Sequence, residues 1–210
     1  MASNGLQPGY EDAPAFPEED ALAVGADLEE VARYAKSRGN LLKGTTTARN
    51  TFATYATAGV FWSDTTDGAV YRFDGSGWVL WFKRWAAYTP TLTNVTGTPT
   101  LAFEYAVAAG VVTVRFSITL TAANFGSAPL ISLPVAAATP YTFEPVGDAA
   151  YNDASGGAIY PGKVQLQTTS TVALLTMAGS PLLIGTVTAT NPFTWAAPDT
   201  VTGQFRYKAA

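Results

Sequence analysis

The sequence predicts a mainly β protein, with a short N-terminal helix, a small β-meander and a C-terminal antiparallel β-sandwich of jelly-roll type. Three observations carry this prediction. From residue 88 onward, short runs that alternate apolar and polar residues recur between Pro and Gly punctuation, the pattern of half-buried strands. The stretch FWSDTTDGAVYRFDGSGWVLWFKRW, residues 61–85, holds four of the five tryptophans and is cut by two turn signals. Helical spacing of apolar residues is confined to the segment 20–38.

Residues 1–19 carry Pro8, Pro14 and Pro17 with four acids, a composition that forms no core by itself. The segment reads either as a disordered tail or as an extended N-terminal anchor that threads into a partner. Residues 20–40 are expected to be a helix capped by Asp20 and stopped at Gly39-Asn40. Ala21, Val24, Leu28, Val31 and Ala35 lie 3, 4, 3 and 4 apart, and Asp27, Glu29 and Glu30 precede Arg33, Lys36 and Arg38, as the helix dipole favours. That stripe suits either packing on the helix's own domain or a short parallel bundle between copies. The Thr-rich residues 41–54 read as a linker.

The meander, 55–87, is expected to hold strands at 60–64, 69–73 and 78–82. Asp67-Gly68 is the two-residue signal of a tight hairpin. A two-residue loop there would set Trp62 opposite Phe73 and Asp64 opposite Tyr71. Asp74-Gly75-Ser76-Gly77 makes the second turn. Three strands cannot bury four tryptophans, so the surplus is expected to pack on the neighbouring domain or on a second copy. In the head, 88–210, strands are expected near 101–108, 111–121, 130–135, 146–151, 163–169, 172–177, 183–190 and 201–207. The second of these is the clearest: Val112, Val114, Phe116, Ile118 and Leu120 share one face, and Phe103, Tyr105 and Val107 line the same core.

Composition limits the chemistry. Charged residues are 13% of the chain, about half the usual share, so much of the surface is expected to lie in an assembly or against a neutral ligand. The net charge is -4 and the 12 Lys and Arg form no dense cluster, which argues against nucleic acid. The absence of Cys and His removes thiol nucleophiles, disulfides, Cys/His zinc sites and every histidine base. Residues 1–20 lack the features of a signal peptide, and the apolar region 172–187 is broken by Gly179-Ser180-Pro181, so no membrane insertion is expected.

Candidate sites are few. The head has five carboxylates: Glu104, Glu144, Asp148, Asp153 and Asp199. Glycan hydrolysis would need two of them facing across a cleft, and nothing in their spacing marks a pair. Asp148, Asn152 and Asp153 in GDAAYNDASGG offer oxygen ligands for calcium, but the spacing is that of an Asx-rich turn. Gly75-Ser76-Gly77 lacks the lysine and helix of a phosphate loop. Tyr141, Phe143, Tyr151, Tyr160, Phe193 and Trp195 are candidates for a sugar-stacking platform, or alternatively for core or subunit interface.

The order of motifs resembles a known family. GVFWSDTTDGAVYRFDGSGWV is similar to a small module of bacteriophage tail and fibre proteins. WAAYTPTLTNVTG, FEYAVAAGVVTVRFSITL, ISLPVAA and PFTWAAPDTVTGQFRYKA look like the C-terminal β-sandwich of phage fibres and minor tail proteins. The resemblance spans about residues 55–208 and brings no defined catalytic or binding residues. It implies a virion structural protein assembled in the host cytoplasm: a homotrimer held to other virion proteins by its N-terminal segment, whose head meets host cell-surface carbohydrate. The neck is short for a long tail fibre, which leaves open a stubby fibre, a capsid or neck decoration binding only virion proteins, or a baseplate appendage. The expectation is therefore a non-enzymatic protein with no catalytic residues, cofactor or metal.

Overall fold

The computed structural model describes residues 6–7, 10–14, 41–121, 124–139, 144–178 and 183–210. The expected helix at 20–38 and the candidates Tyr141 and Phe143 lie outside those residues. The chain divides into two compact units between Val79 and Leu80, whereas the sequence suggests a boundary at 87/88.

In the first unit, β1 (Leu6–Gln7) and β2 (Tyr10–Pro14) pair antiparallel within the segment read as an anchor. Residues 41–54 are not a linker. They form β3 (Leu41–Gly44) and helix α1 (Thr46–Phe52), followed by β4 (Phe61–Asp64). β3 and β4 run parallel, with Leu42 beside Trp62. Parallel neighbours need a crossover, and α1 lies within it. The helix starts where Thr45 accepts the Ala48 backbone N–H at 3.2 Å, a Ser/Thr cap hidden in a run of threonines. Gly44 is required by contact. A Cβ there would sit 2.6 Å from the Trp62 ring, whose Nε1 donates to the Gly44 carbonyl at 3.2 Å.

β4 pairs antiparallel with β5 (Val70–Phe73), but the hairpin register differs from the expected one. Trp62 faces Tyr71, not Phe73, and the loop holds four residues, closed by Asp64 N–H to Ala69 carbonyl at 2.8 Å. The aspartates explain the longer loop: Asp64 accepts from Thr66 N–H and Asp67 from Ala69 N–H, two side-chain turns in place of one tight backbone turn. The register slips by two residues, so the facing set of Trp62, Asp64, Tyr71 and Phe73 is preserved. Trp78, at the start of β6 (Trp78–Ala87), completes this aromatic cluster, with ring centroids 6.1 Å from Trp62 and 5.2 Å from Phe73.

The second unit takes the rest of β6, then β7 (Leu92–Thr96), β8 (Thr100–Ala108), β9 (Val111–Thr119), β10 (Asn124–Ser132), β11 (Glu144–Asp153), β12 (Ala158–Leu166), β13 (Thr171–Ala178), β14 (Leu183–Thr186) and β15 (Thr200–Lys208). Its hydrogen-bonded order is β6-β8-β9-β15-β11-β12-β13-β10-β7, with β14 on β13. Every pairing within it is antiparallel. β8 and β9 are joined at Ala109-Gly110, both at positive φ, as a type I′ hairpin requires. β7 is absent from the sequence reading because LTNVT is short and carries Asn94 at φ 60 in its middle.

The expected inward row on β9 is observed: Val112, Val114, Phe116, Ile118 and Leu120 are all buried. Phe103 stacks on Phe116 at 5.3 Å, and Val201, Phe205 and Tyr207 of β15 continue the layer. Inner-face residues at the far end of the path join the same core. Trp195 contacts both Phe125 of β10 (4.7 Å) and Tyr151 of β11 (5.7 Å). Each fully buried aromatic or branched side chain contributes about 1.5–3 kcal/mol of transfer free energy, so this continuous layer dominates the unit's stability.

Glycines admit the closest strand approaches. At Gly147 a Cβ would run into the Gln204 carbonyl and the Phe205 backbone, whereas Gly77 has open space around it. Gly147→Ala should therefore lower unfolding stability by about 1–3 kcal/mol, and Gly77→Ala should change it by less than about 1 kcal/mol. Chemical denaturation followed by circular dichroism distinguishes the two; equal midpoints would contradict the packing described here.

Candidate functional site

Among the described residues of the first unit lies a buried charged cluster. Arg49 projects from α1, and its Nη1 lies 3.0 Å from Asp64 Oδ2 on β4; both side chains are nearly sealed from solvent. The guanidinium carbon sits 3.6 Å from the centre of the Tyr71 ring, a cation–π contact. Tyr71 in turn donates to Asp67 Oδ2 at 2.5 Å. Thr46 O–H donates to Asp64 Oδ2 at 2.8 Å, and Trp78 Nε1 donates to the Arg49 carbonyl at 3.1 Å. Burial pushes the Asp64 carboxyl up, but hydrogen bonds from Thr46 and Thr66 and the Arg49 charge outweigh it, leaving it below the ordinary value of 3.8. The arrangement ties α1 to the strands.

The head's carboxylates are spread among structural tasks. Asp199 is buried and accepts Ala154 N–H at 2.9 Å and Ala196 N–H at 2.6 Å, pinning two loops. Asp153 caps its turn by accepting from Gly156 N–H and Ser155 O–H. Backbone hydrogen bonding from Gly156 leads the lowering of its carboxyl below the ordinary value. Asp148 pairs with Lys163 across β11–β12, and Glu104 pairs with Arg115 across β8–β9. Glu144 opens β11. Asp148 and Asp153 thus serve different partners, so the calcium reading of GDAAYNDASGG is not supported by geometry. Among the described residues no group of three or more Asp and Glu gathers as a metal site would require. No described helix is long and apolar enough to cross a membrane.

The aromatic candidates are redistributed as well. Tyr151, Phe193 and Trp195 are buried core residues, not a platform. Trp195 Nε1 donates to the Thr188 carbonyl, and Phe193 packs 4.3 Å from its ring. Tyr160 tilts against Phe193 at 5.1 Å. Burial raises the phenols of Tyr88, Tyr151 and Tyr207 above their ordinary value, which leaves them protonated at neutral pH. Among the described residues of the head, large aromatics are exposed on β6. Trp85 is 48% exposed and Phe82 44% exposed.

These β6 residues border the outer face of β8 and β9. Ala87 lies beside Glu104, Glu104 opposite Arg115, and Ala102 opposite Ser117. Arg115 stacks over the Trp85 ring with its guanidinium carbon 4.6 Å from the centroid. Its Nε donates to Glu104 Oε2 at 2.6 Å, and its Nη2 lies 2.5 Å from the same oxygen in an ion pair. Among the described residues Glu104 Oε1 takes no hydrogen bond. The ion pair lines an open depression of about 500 Å³ together with Ala87, Tyr88, Leu101, Ala102 and Ser117. Sequence reasoning placed surplus tryptophans in 61–85 but did not single out Trp85. The signal was the break in alternation across Phe82-Lys83-Arg84-Trp85, where the β6–β8 register shifts and two aromatics are left outward.

No family model matches the sequence, no curated protein matches it, and no solved structure matches the fold.

The buried pair has a pH signature. Because folding lowers the Asp64 pKa, the unfolded chain takes up the proton first. The stability held by that carboxylate is complete above the unfolded value near 4 and is lost as pH falls below it. Replacing Asp64 with Asn should destabilise the first unit at pH 7 by about 3–5 kcal/mol, since it strands the buried Arg49 charge. It should also flatten the acid limb below about pH 4. Urea titrations across that range measure both effects, and an unchanged acid limb would remove Asp64 as its source.

Proposed function

We propose that this chain is a fibre-type structural protein of a bacteriophage virion, a homotrimer attached by its N-terminal segment and displaying the β head for adhesion to host-surface glycan. The observation that carries the reading is the half-exposed Trp85–Phe82 surface on the outer face of a fully packed head. In the same head, four of the five acids are held by ion pairs, turns or backbone donors. Such a surface binds and does not react. The motif order over 61–85 and in the head supports the virion assignment, and the low charge content suits a protein that works in several copies against neutral surfaces.

Three heads multiply weak contacts, because the second and third engagements are intramolecular and avidity gains of about 10²–10⁴ follow without new contacts. Trimerisation is assigned to the N-terminal segment, whose 3–4 apolar spacing suits a parallel bundle. Virion localisation follows from this reading, with assembly in the host cytoplasm.

Light scattering on the intact chain tests the assembly. A mass three times the 22.0 kDa chain is expected at micromolar concentration, independent of salt. A monomer at that concentration would overturn the trimeric fibre.

A further inference from the structure

Resting on the adhesion reading, we propose that the exposed Trp85 ring and the Glu104–Arg115 pair, beside the depression that this pair lines, form a subsite for a neutral pyranose of a host glycan, with Trp85 as the stacking surface and the ion pair as the hydroxyl reader. Four properties of the face converge on that ligand. Trp85 has one ring face under Arg115 while nearly half its surface remains open. An indole face is electron-rich and flat, and it attracts the polarised C–H face of a sugar ring. Arg115 leans on the ring and is held to a single Glu104 oxygen by the Nε hydrogen bond and the ion pair, so the donor set is fixed before any ligand arrives. The other carboxylate oxygen, Oε1, takes no hydrogen bond among the described residues and is an open acceptor for a hydroxyl.

Charge selects among ligands. The guanidinium is neutralised by the carboxylate beside it, so the pair offers donors and an acceptor with no surplus charge. An acidic sugar would find no net positive charge there to offset its desolvation, and a cationic ligand no net negative charge. A neutral polyol satisfies both the donors and the acceptor. Shape agrees: the depression that Glu104 and Arg115 line beside Trp85, with Tyr88, Leu101, Ala102 and Ser117 among its other walls, measures about 500 Å³, within the range of small-ligand sites. Phe82, also outward on β6, extends the apolar border for a second ring.

The test uses the full-length protein on an array of neutral oligomers of glucose, galactose and N-acetylglucosamine beside sialylated and sulfated glycans, then titrates the best neutral probe. The expected result is binding to neutral probes with quenching of tryptophan fluorescence. Trp85→Ala should weaken it at least about tenfold, and Trp85→Phe should retain most of it. Ile159→Ala, which alters a separate exposed apolar residue on β12, should leave it unchanged. Circular dichroism and solution mass check that each variant remains folded and assembled. Binding to acidic probes alone, or neutral binding indifferent to Trp85→Ala, would overturn the subsite. A fall in oligomer mass on Trp85→Ala would also overturn it, because the face would then be a contact between copies. Adhesion of the protein to intact bacteria, read in parallel, separates the two levels: if cells are bound and Trp85→Ala changes nothing, the subsite fails and the adhesion reading stands.

Discussion

The second unit depends on how closely β9 and β15 approach. Gly203 faces Phe116 across that pairing. A Cβ on Gly203 would lie 2.9 Å from the Phe116 ring and 2.5 Å from the Asp148 carbonyl of β11. The ring of Phe116 therefore fills the space that a side chain on β15 would take, and Phe103 stacks against it from β8. Three strands from distant parts of the chain lock together through one missing side chain. Because β15 comes last in sequence yet sits mid-sheet, the layer closes only when the C-terminal strand inserts. Such non-local pairing carries a loop-closure cost that the dense aromatic layer offsets.

A core filled this way frees the opposite face. Strand alternation sends Val114, Phe116 and Phe205 inward and, by the same period of two, sends Arg115 and Gln204 outward. The outer surface is consequently a regular grid of polar side chains on a rigid sheet. Elements that are rigid position recognition groups better than mobile loops do. The aromatic exception on this grid comes from irregularity: the bulge in β6 places Trp85 against Arg115 where regular alternation would continue the grid. Bulges re-aim side chains in this manner, and the proposed ligand surface depends on one.

What the sequence made legible followed from periodicity. The inward row of β9, the strand at 200–208 and the turn at Ala109-Gly110 could be read because each obeys a local rule that its neighbours do not override. Legibility failed where a side chain replaced a backbone rule. Asp-Gly at 67–68 looks like a two-residue hairpin, yet Asp64 and Asp67 capture nearby N–H groups and stabilise a longer loop. Threonines at 45–47 look like linker, yet one of them caps a helix whose position is set by Arg49 reaching Asp64 fifteen residues on. The candidate platform was misplaced for a related reason. Trp195 and Tyr151 are far apart in the chain, and only the fold shows that they bury one another, while Trp85 looked no different from the three tryptophans near it.

The contrast between the units bears on what each is for. The head is held by apolar contact and exposes its ion pairs, where such pairs contribute little, about 0–1 kcal/mol each. The first unit buries one instead, in a chain with unusually few charges. Stability alone does not explain this choice, since a well-packed apolar pair of similar volume would serve as well or better. Geometry does. A short helix with a Thr-rich sequence has little apolar surface to define its seat, and apolar contact tolerates sliding. The Arg49–Asp64 contact, sandwiched on Tyr71 and fixed by Thr46, admits one placement of α1 over the strands. Under the fibre reading that precision has a use. Under that reading this unit includes the attachment segment, and each of three copies must leave the attachment point with the same geometry for their heads to engage one surface together.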